Sequence, residues 1–349
     1  MTLSGTDYLA RKGPSPEKVS AVSLFACAPL TREKVDMDRV GIVAATFEGL
    51  SLAQLQELAR EAEAAGVAAL FLPEFMNDAL ANCQAVAQVT SRLTVGSWVA
   101  NIYLRHPALC AQTAVTVADV SRGRFILGLG VSHRPIVEGV YQEKMERPRD
   151  FLRQYITTVR NAVTGKGYPG APIQPRAATH AVPVYIAALA LGTVELAGEI
   201  GDGVMLDLCP TSRLPKVRAA LERGAAKAGR RASAVEVTAG LLACLGDDLD
   251  AARTAARAAL ARYGQLPFYN KLFDNSGFRQ EAAALARGGA QAVSDRMVEE
   301  LVLLGPPARC RARLAALRAA GVQLPVIRPV RVGEQTYAQA VRQVIEAFA

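Results

Sequence analysis

Histidine is nearly missing from this chain of 349 residues, which has only His106, His133 and His180. With three histidines, and none at metal-ligand spacing to another, no structural zinc site is expected. The six cysteines, Cys27, Cys83, Cys110, Cys209, Cys244 and Cys310, contain no CxxC pair. Their scatter reads as reduced thiols of a cytoplasmic protein rather than a disulfide framework. No apolar run approaches the roughly 20 residues that a membrane span requires. The formal charge is +8, yet no basic cluster interleaved with aromatics is found, and aromatics make up 6% of the chain. That argues against nucleic acid as a partner. An anionic cofactor or substrate is an equally good reason for a basic chain.

What is present is a large apolar fraction, 51%, enough for a sizeable core. The first 38 residues stand apart. Arg11, Lys12 and Lys18 precede a short apolar stretch, 21–28, that ends in small residues and imitates a secretory signal. The stretch is short and follows Pro14 and Pro16, so residues 1–38 read better as a packed N-terminal arm. From residue 39 to 349 the pattern is that of one domain in which buried runs alternate with amphipathic helices. Strands are expected at 40–45, 67–72, 93–100, 124–130, 182–188, 203–208, 235–243 and 324–330. Ser51 with Gln54 three residues on forms a capping box at the start of the first helix. Apolar runs without strict alternation, separated by helices, imply a parallel sheet covered by helices. Eight such units favour a closed (β/α)8 TIM barrel over an open sheet. The segment 264–295 reads as irregular, part of a long excursion between the seventh and eighth strands, of the kind that forms lids or binding loops.

Barrel active sites lie at the carboxyl ends of the strands. Glu74 ends the second strand and His133 follows the fourth, a carboxylate and an imidazole that could share proton transfer. The plainer alternatives are that Glu74 pairs with a nearby arginine and that His133 caps the next helix. Gly192 and Thr193 open the helix after the fifth strand, where free amides could hold an anion, or could make an ordinary strand-to-helix turn. The glycines of Gly128-Leu-Gly130 do not complete a dinucleotide fingerprint. They more readily let a bulky ring approach the barrel rim.

Arg122-Gly-Arg-Phe-Ile-Leu-Gly-Leu-Gly130, with Asn101-Ile-Tyr-Leu-Arg-His-Pro107 before it, resembles the bacterial luciferase-like family. Leu72-Pro-Glu-Phe75, Gly130-Val-Ser-His133, Ala187-Ala-Leu189 and Leu266-Pro-Phe-Tyr-Asn270 follow the family's order. Within it, the chain is most similar to coenzyme F420-dependent oxidoreductases of actinobacterial type. The resemblance implies a homodimeric barrel whose mouth holds the cofactor ring. It further implies a bulged third strand, with a non-prolyl cis peptide within Trp98-Val99-Ala100, backing that ring. Cofactor contacts would come from Trp98, Val99, Ala100, Asn101, Val131 and Ser132. The phosphate would lie against Leu189, Ala190, Gly192 and Thr193. In the family's sugar-phosphate dehydrogenases a histidine ends strand two and a glutamate follows strand four. Here Glu74 and His133 exchange those types, which argues against a sugar-phosphate substrate. Three readings follow. The first is hydride transfer between F420 and a small organic substrate. The second is an FMN-dependent monooxygenase, its reduced flavin supplied by a partner reductase. The third is a non-catalytic barrel acting as a partner protein.

Overall fold

The computed structural model describes residues 39–168 and 175–348. The expectations for the N-terminal arm, Cys27 included, lie outside the described residues. The described residues form ten parallel strands: β1 (Gly41–Val43), β2 (Ala69–Leu72), β3 (Thr94–Ser97), β4 (Ala100–Asn101), β5 (Phe125–Gly130), β6 (Val184–Ala187), β7 (Gly203–Asp207), β8 (Glu236–Leu245), β9 (Val302–Gly305) and β10 (Leu324–Pro329). They run β1-β2-β3-β5-β6-β7-β8, and β10 then pairs with both β8 and β1, closing the sheet into a barrel. β4 continues the line of β3 along β5, so the closed ring has eight positions. The expected fold class is the one observed.

Side-chain alternation explains the two faces. Val43, Phe71, Ile126, Tyr185, Met205 and Val326 meet in one cluster that fills the barrel. Their neighbours Ile42, Leu70, Leu127, Ile186, Val204 and Ile327 belong to a second cluster with the surrounding helices. Each strand is thus apolar on both sides, as a parallel sheet covered by helices demands. The capping box forms as expected: the Gln54 amide donates to Ser51 Oγ at 3.2 Å and the Ser51 amide to Gln54 Oε1 at 2.9 Å. The last helix, Tyr337–Phe348, is tied to β1 because the Tyr337 hydroxyl donates to the Val43 carbonyl at 3.3 Å.

The structure corrects the sequence reading in two places. The segment read as irregular is largely helical, with helices Pro267–Asp274 and Arg279–Leu285. Between helices Asp295–Leu301 and Pro307–Ala319 lies β9, where only helix was expected. The cause is the length of β8. Its residues Glu236–Gly240 pair with β7, and its overhang, Leu242–Leu245, pairs with Val302–Gly305. Helices Pro267–Asp274, Arg279–Leu285 and Asp295–Leu301 share an apolar cluster with β9, Leu242 and Cys244. The excursion is therefore a packed cap standing on an extended strand.

Five cysteines, Cys83, Cys110, Cys209, Cys244 and Cys310, are free and buried. Among the described residues no helix is long and apolar enough to cross a membrane, and no three potential metal ligands cluster.

Candidate active site

A cavity of about 1220 Å³ opens at the carboxyl ends of the strands, walled on one side by the excursion helices. Its floor is shaped by the break between β3 and β4. Gly96 pairs with Ile126 and Ala100 with Leu129, so one strand spends an extra residue between the same two rungs. That is a bulge. Within it the Trp98–Val99 peptide is cis. Ser97 mends the ladder: its hydroxyl donates to the Gly128 carbonyl at 2.8 Å and accepts from the Gly128 amide at 3.0 Å. Gly128 must be glycine for this approach, since a Cβ there would stand 2.1 Å from the Ser97 carbonyl oxygen. The Trp98 indole packs edge-on to Phe71 at 5.3 Å, where the barrel interior meets the cavity.

Glu74 lies in the cavity wall directly after β2, its side chain only 1% exposed. One oxygen accepts from the Arg105 guanidinium and the Ala79 amide, and the other from the Asn101 amide. Burial pushes its carboxyl pKa up against the opposing pull of Arg105 and the two amides. Arg105 also reaches Asp78 at 3.2 Å. The arginine pairing considered from the sequence is present, and it fastens the chain after β4 to the chain after β2.

His133 occupies the N-cap position of the short helix Arg134–Gly139 but makes no side-chain cap bond. Its ring is stacked on Tyr269 at 5.1 Å and lies 5.6 Å from Phe268. Nδ1 is enclosed without a partner, which leaves Nε2 as the nitrogen able to meet a ligand. Burial lowers the imidazole pKa to about 4, so the ring is neutral at pH 7. Behind Tyr269 stands a polar cluster that sequence reasoning did not single out. Asp207 Oδ2 accepts from the Tyr269 hydroxyl and from Arg328, and Arg328 also donates to the Tyr263 hydroxyl. The guanidinium lies 4.9 Å from the centre of the Tyr263 ring. Asp207 was visible as the end of a barrel strand. Its arginine and tyrosines come from a distant strand and from the excursion, whose geometry the sequence does not announce.

The helix Leu191–Ile200 points its N-terminus at the cavity and has no side-chain cap. The Thr193 and Val194 amides turn back to the Ala190 carbonyl at 3.0 and 3.1 Å. The first-turn amides of Leu191 and Gly192 have no carbonyl of their own helix to meet. Arg149 Nη1 lies 2.9 Å from where a Cβ on Gly192 would be. From behind, the buried Arg213, 6% exposed, donates to the Leu189 and Asn275 carbonyls, each at 3.3 Å.

Of the other residues expected at the cofactor, Trp98, Val99, Asn101, Val131, Ser132, Leu189, Ala190 and Thr193 line this cavity. Ala100 does not. The strand alternation sends it outward into the layer between strands and helices.

Charge on the wall is unbalanced, with eight arginine and lysine residues against four acids. Each acid is already paired: Glu48 with Arg331 at 3.7 Å, Glu74 with Arg105, Asp150 with Arg147 at 2.9 Å, and Asp207 with Arg328. Arg149, Arg213, Lys216, Arg262 and Lys271 have no carboxylate within 4.0 Å among the described residues.

Residues 36–324 match the model of a family described as luciferase-like monooxygenase. The chain belongs to that family. It is 29% identical over 309 residues, 78% of this chain and 89% of the relative, to a Mycobacterium tuberculosis protein named provisionally as a coenzyme F420-dependent oxidoreductase. It is 26% identical over 291 residues to the 5,10-methylenetetrahydromethanopterin reductase of Methanolobus tindarius, covering 77% of this chain and 88% of the relative. Among solved structures, the F420-dependent tetrahydromethanopterin reductase of Methanopyrus kandleri superposes with a TM-score of 0.72 at 20% identity, over 88% of this chain and 97% of that one. The FMN-bound oxygenating constituent of 3,6-diketocamphane monooxygenase from Pseudomonas putida does so at 0.64 and 14%, over 89% and 98%. Similarity at that identity speaks for the shared barrel alone. Membership of a luciferase-like oxidoreductase and monooxygenase family supports an enzyme.

Proposed function

We propose that this barrel binds coenzyme F420 in its mouth and transfers hydride between that cofactor and a small organic substrate. The observation that carries the choice is the set of five cavity cations without a carboxylate. FMN ends in a single phosphate, whereas F420 continues into an acidic oligoglutamate tail. Five unmatched positive charges suit the longer polyanion, because each charge-assisted hydrogen bond is about twice as strong as a neutral one. The names of the F420-linked relatives support the same reading.

The residues present fit the cofactor. The Leu191 and Gly192 amides at a helix N-terminus, with Arg149 in front and Arg213 behind, make a seat for its phosphate. Lys216 and Lys271 stand ready for carboxylates beyond it. When bound, F420 supplies two-electron hydride chemistry. The protein's part is to back the ring with the Trp98–Val99 bulge, to hold that bulge through Glu74, and to exclude water with the excursion helices. His133, neutral and half-buried, presents Nε2 on the substrate side, where it can accept a proton or hold a hydrogen bond.

Fluorescence titration with oxidised F420 and separately with FMN tests the reading. F420 is expected to bind at least roughly tenfold more tightly, a difference of about 1.4 kcal/mol. Micromolar FMN binding with no detectable F420 binding would transfer the protein to the flavin-monooxygenase reading.

A further inference from the structure

Asp207 does not contact His133, yet the two are joined by one side chain. Its carboxylate ends β7 and holds Arg328 from β10 and the phenol of Tyr269 from the excursion helix Pro267–Asp274. The Tyr269 ring lies near-parallel to the His133 imidazole, with 28° between the planes, and Phe268 completes the cover. Tyr263, packed edge-on to Tyr269 at 4.8 Å, is fixed by the same arginine. Space for the carboxylate is made by Gly240 on β8, where a Cβ would stand 2.3 Å from Asp207 Oδ1 and 2.7 Å from the Trp98 ring. A buried acid, an arginine and two tyrosines from four elements thus converge on one ring that touches the imidazole.

We propose that Asp207 is a positioning residue for His133. By anchoring Tyr269 it keeps the excursion helix closed over the imidazole and fixes Nε2 toward the substrate. The proposal rests on the reading of His133 as the substrate-side group. The alternative is that the excursion helix is held by its apolar contacts alone, through Leu272 and Phe273.

Among the described residues, ring contacts to His133 come from Tyr269 and Phe268. Tyr269 is the titratable group in contact, and Asp207, Arg328 and Tyr263 stand behind it. On its own short helix Arg134 and Glu138 pair with each other at the surface. Burial accounts for the lowered imidazole pKa, with no charged neighbour contributing. Loosening the cover therefore has one direction of effect: water reaches the ring and its pKa rises toward 6.5.

The test is an NMR titration of the imidazole in the full chain, which three histidines make tractable. Loss of a signal in His133→Gln assigns it, and His106 and His180 serve as internal references. In the native protein His133 is expected to titrate near 4. In Tyr269→Phe, which keeps the ring but removes the bond to Asp207, and in Asp207→Asn, the midpoint should rise by roughly one pH unit or more. The double variant should rise no further than the larger single change, since both break one chain. An unmoved midpoint in folded Tyr269→Phe overturns the proposal, as does a native midpoint near 6.5. Should Asp207→Asn not fold, Tyr269→Phe decides alone. The measurement needs no cofactor, so failure to bind F420 would count against the proposed function and leave this result standing.

Discussion

At the scale of the residue, the least usual feature is Arg213, a buried guanidinium whose partners are two carbonyls rather than a carboxylate. Burial lowers its pKa, which signals an uncompensated desolvation. An isolated fold gains little from such a group, whereas a bound anion gains a great deal. Arg213→Met should therefore weaken F420 binding roughly 10- to 100-fold, from loss of a charge-assisted hydrogen bond worth about 1.5–3 kcal/mol. Its unfolding free energy should fall by about 1–3 kcal/mol, since the Leu189 and Asn275 carbonyls lose their donor. A variant that unfolds readily and binds F420 normally would make Arg213 a scaffold residue instead. Gly240 makes the opposite kind of statement. Gly240→Ala should cost about 1–3 kcal/mol in urea denaturation, because both Asp207 and Trp98 must move to admit a methyl group. Gly139→Ala is the control: nothing lies within 4 Å of a Cβ there, and the helical substitution should not destabilise, gaining up to about 1 kcal/mol. Equal effects at the two sites would mean that the Asp207 pocket is slack.

At the scale of the element, how legible each part was in the sequence depends on how local its cause is. The helix Leu52–Ala65 could be read because its capping box and its terminal Gly66, with φ of 89°, are fixed within the segment itself. Ser51→Ala should cost about 1 kcal/mol of stability, measurable by thermal unfolding, while leaving F420 affinity untouched. The eight barrel strands were legible for a related reason: each is a short apolar run bounded by helices. β9 was not, because Val302–Gly305 is a strand only by virtue of the edge that β8 leaves open past β7. The break between β3 and β4 was legible through family resemblance alone, since no residue between Ser97 and Ala100 marks a bulge by its type. Glu74 and His133 were found by counting strand ends. The cluster of Asp207, Arg328 and Tyr269 escaped because their meeting depends on where the excursion folds back, which the sequence reads as irregular. The start of the helix Leu191–Ile200 was read from the sequence as a candidate anion seat, without its individual donors. Thr193 and Val194 spend their amides on Ala190, so Leu191 and Gly192 are the donors left over. Thr193→Asp should still weaken F420 binding about tenfold by placing like charge beside the phosphate.

At the scale of the whole molecule, two groups tie stability to pH in separate windows. Burial raises the Glu63 carboxyl, but the amides of Arg92, Leu93 and Ser91 and the Ser91 hydroxyl outweigh it and bring the pKa down to about 2. That carboxylate joins the end of the first helix to the entry of β3. A group depressed in the fold stabilises fully above its unfolded value, near 4.5, and its contribution is lost as the pH falls toward 2. His133 acts higher on the scale. Its unfolded form protonates near 6.5, whereas the half-buried ring resists until about 4. Between those values the unfolded chain binds more protons than the folded one, so stability falls as the pH falls. The loss is on the order of 3 kcal/mol at its largest, before any local opening relieves it. His133→Asn removes the titrating group, and its urea midpoint should change less than that of the native protein between pH 7 and 4.5. Below pH 4 the two should decline in parallel as Glu63 and the other carboxylates protonate. If the variant loses as much stability between pH 7 and 4.5 as the native chain does, the imidazole is not held neutral by burial. The closed cap over the cavity would then have to be redrawn as open.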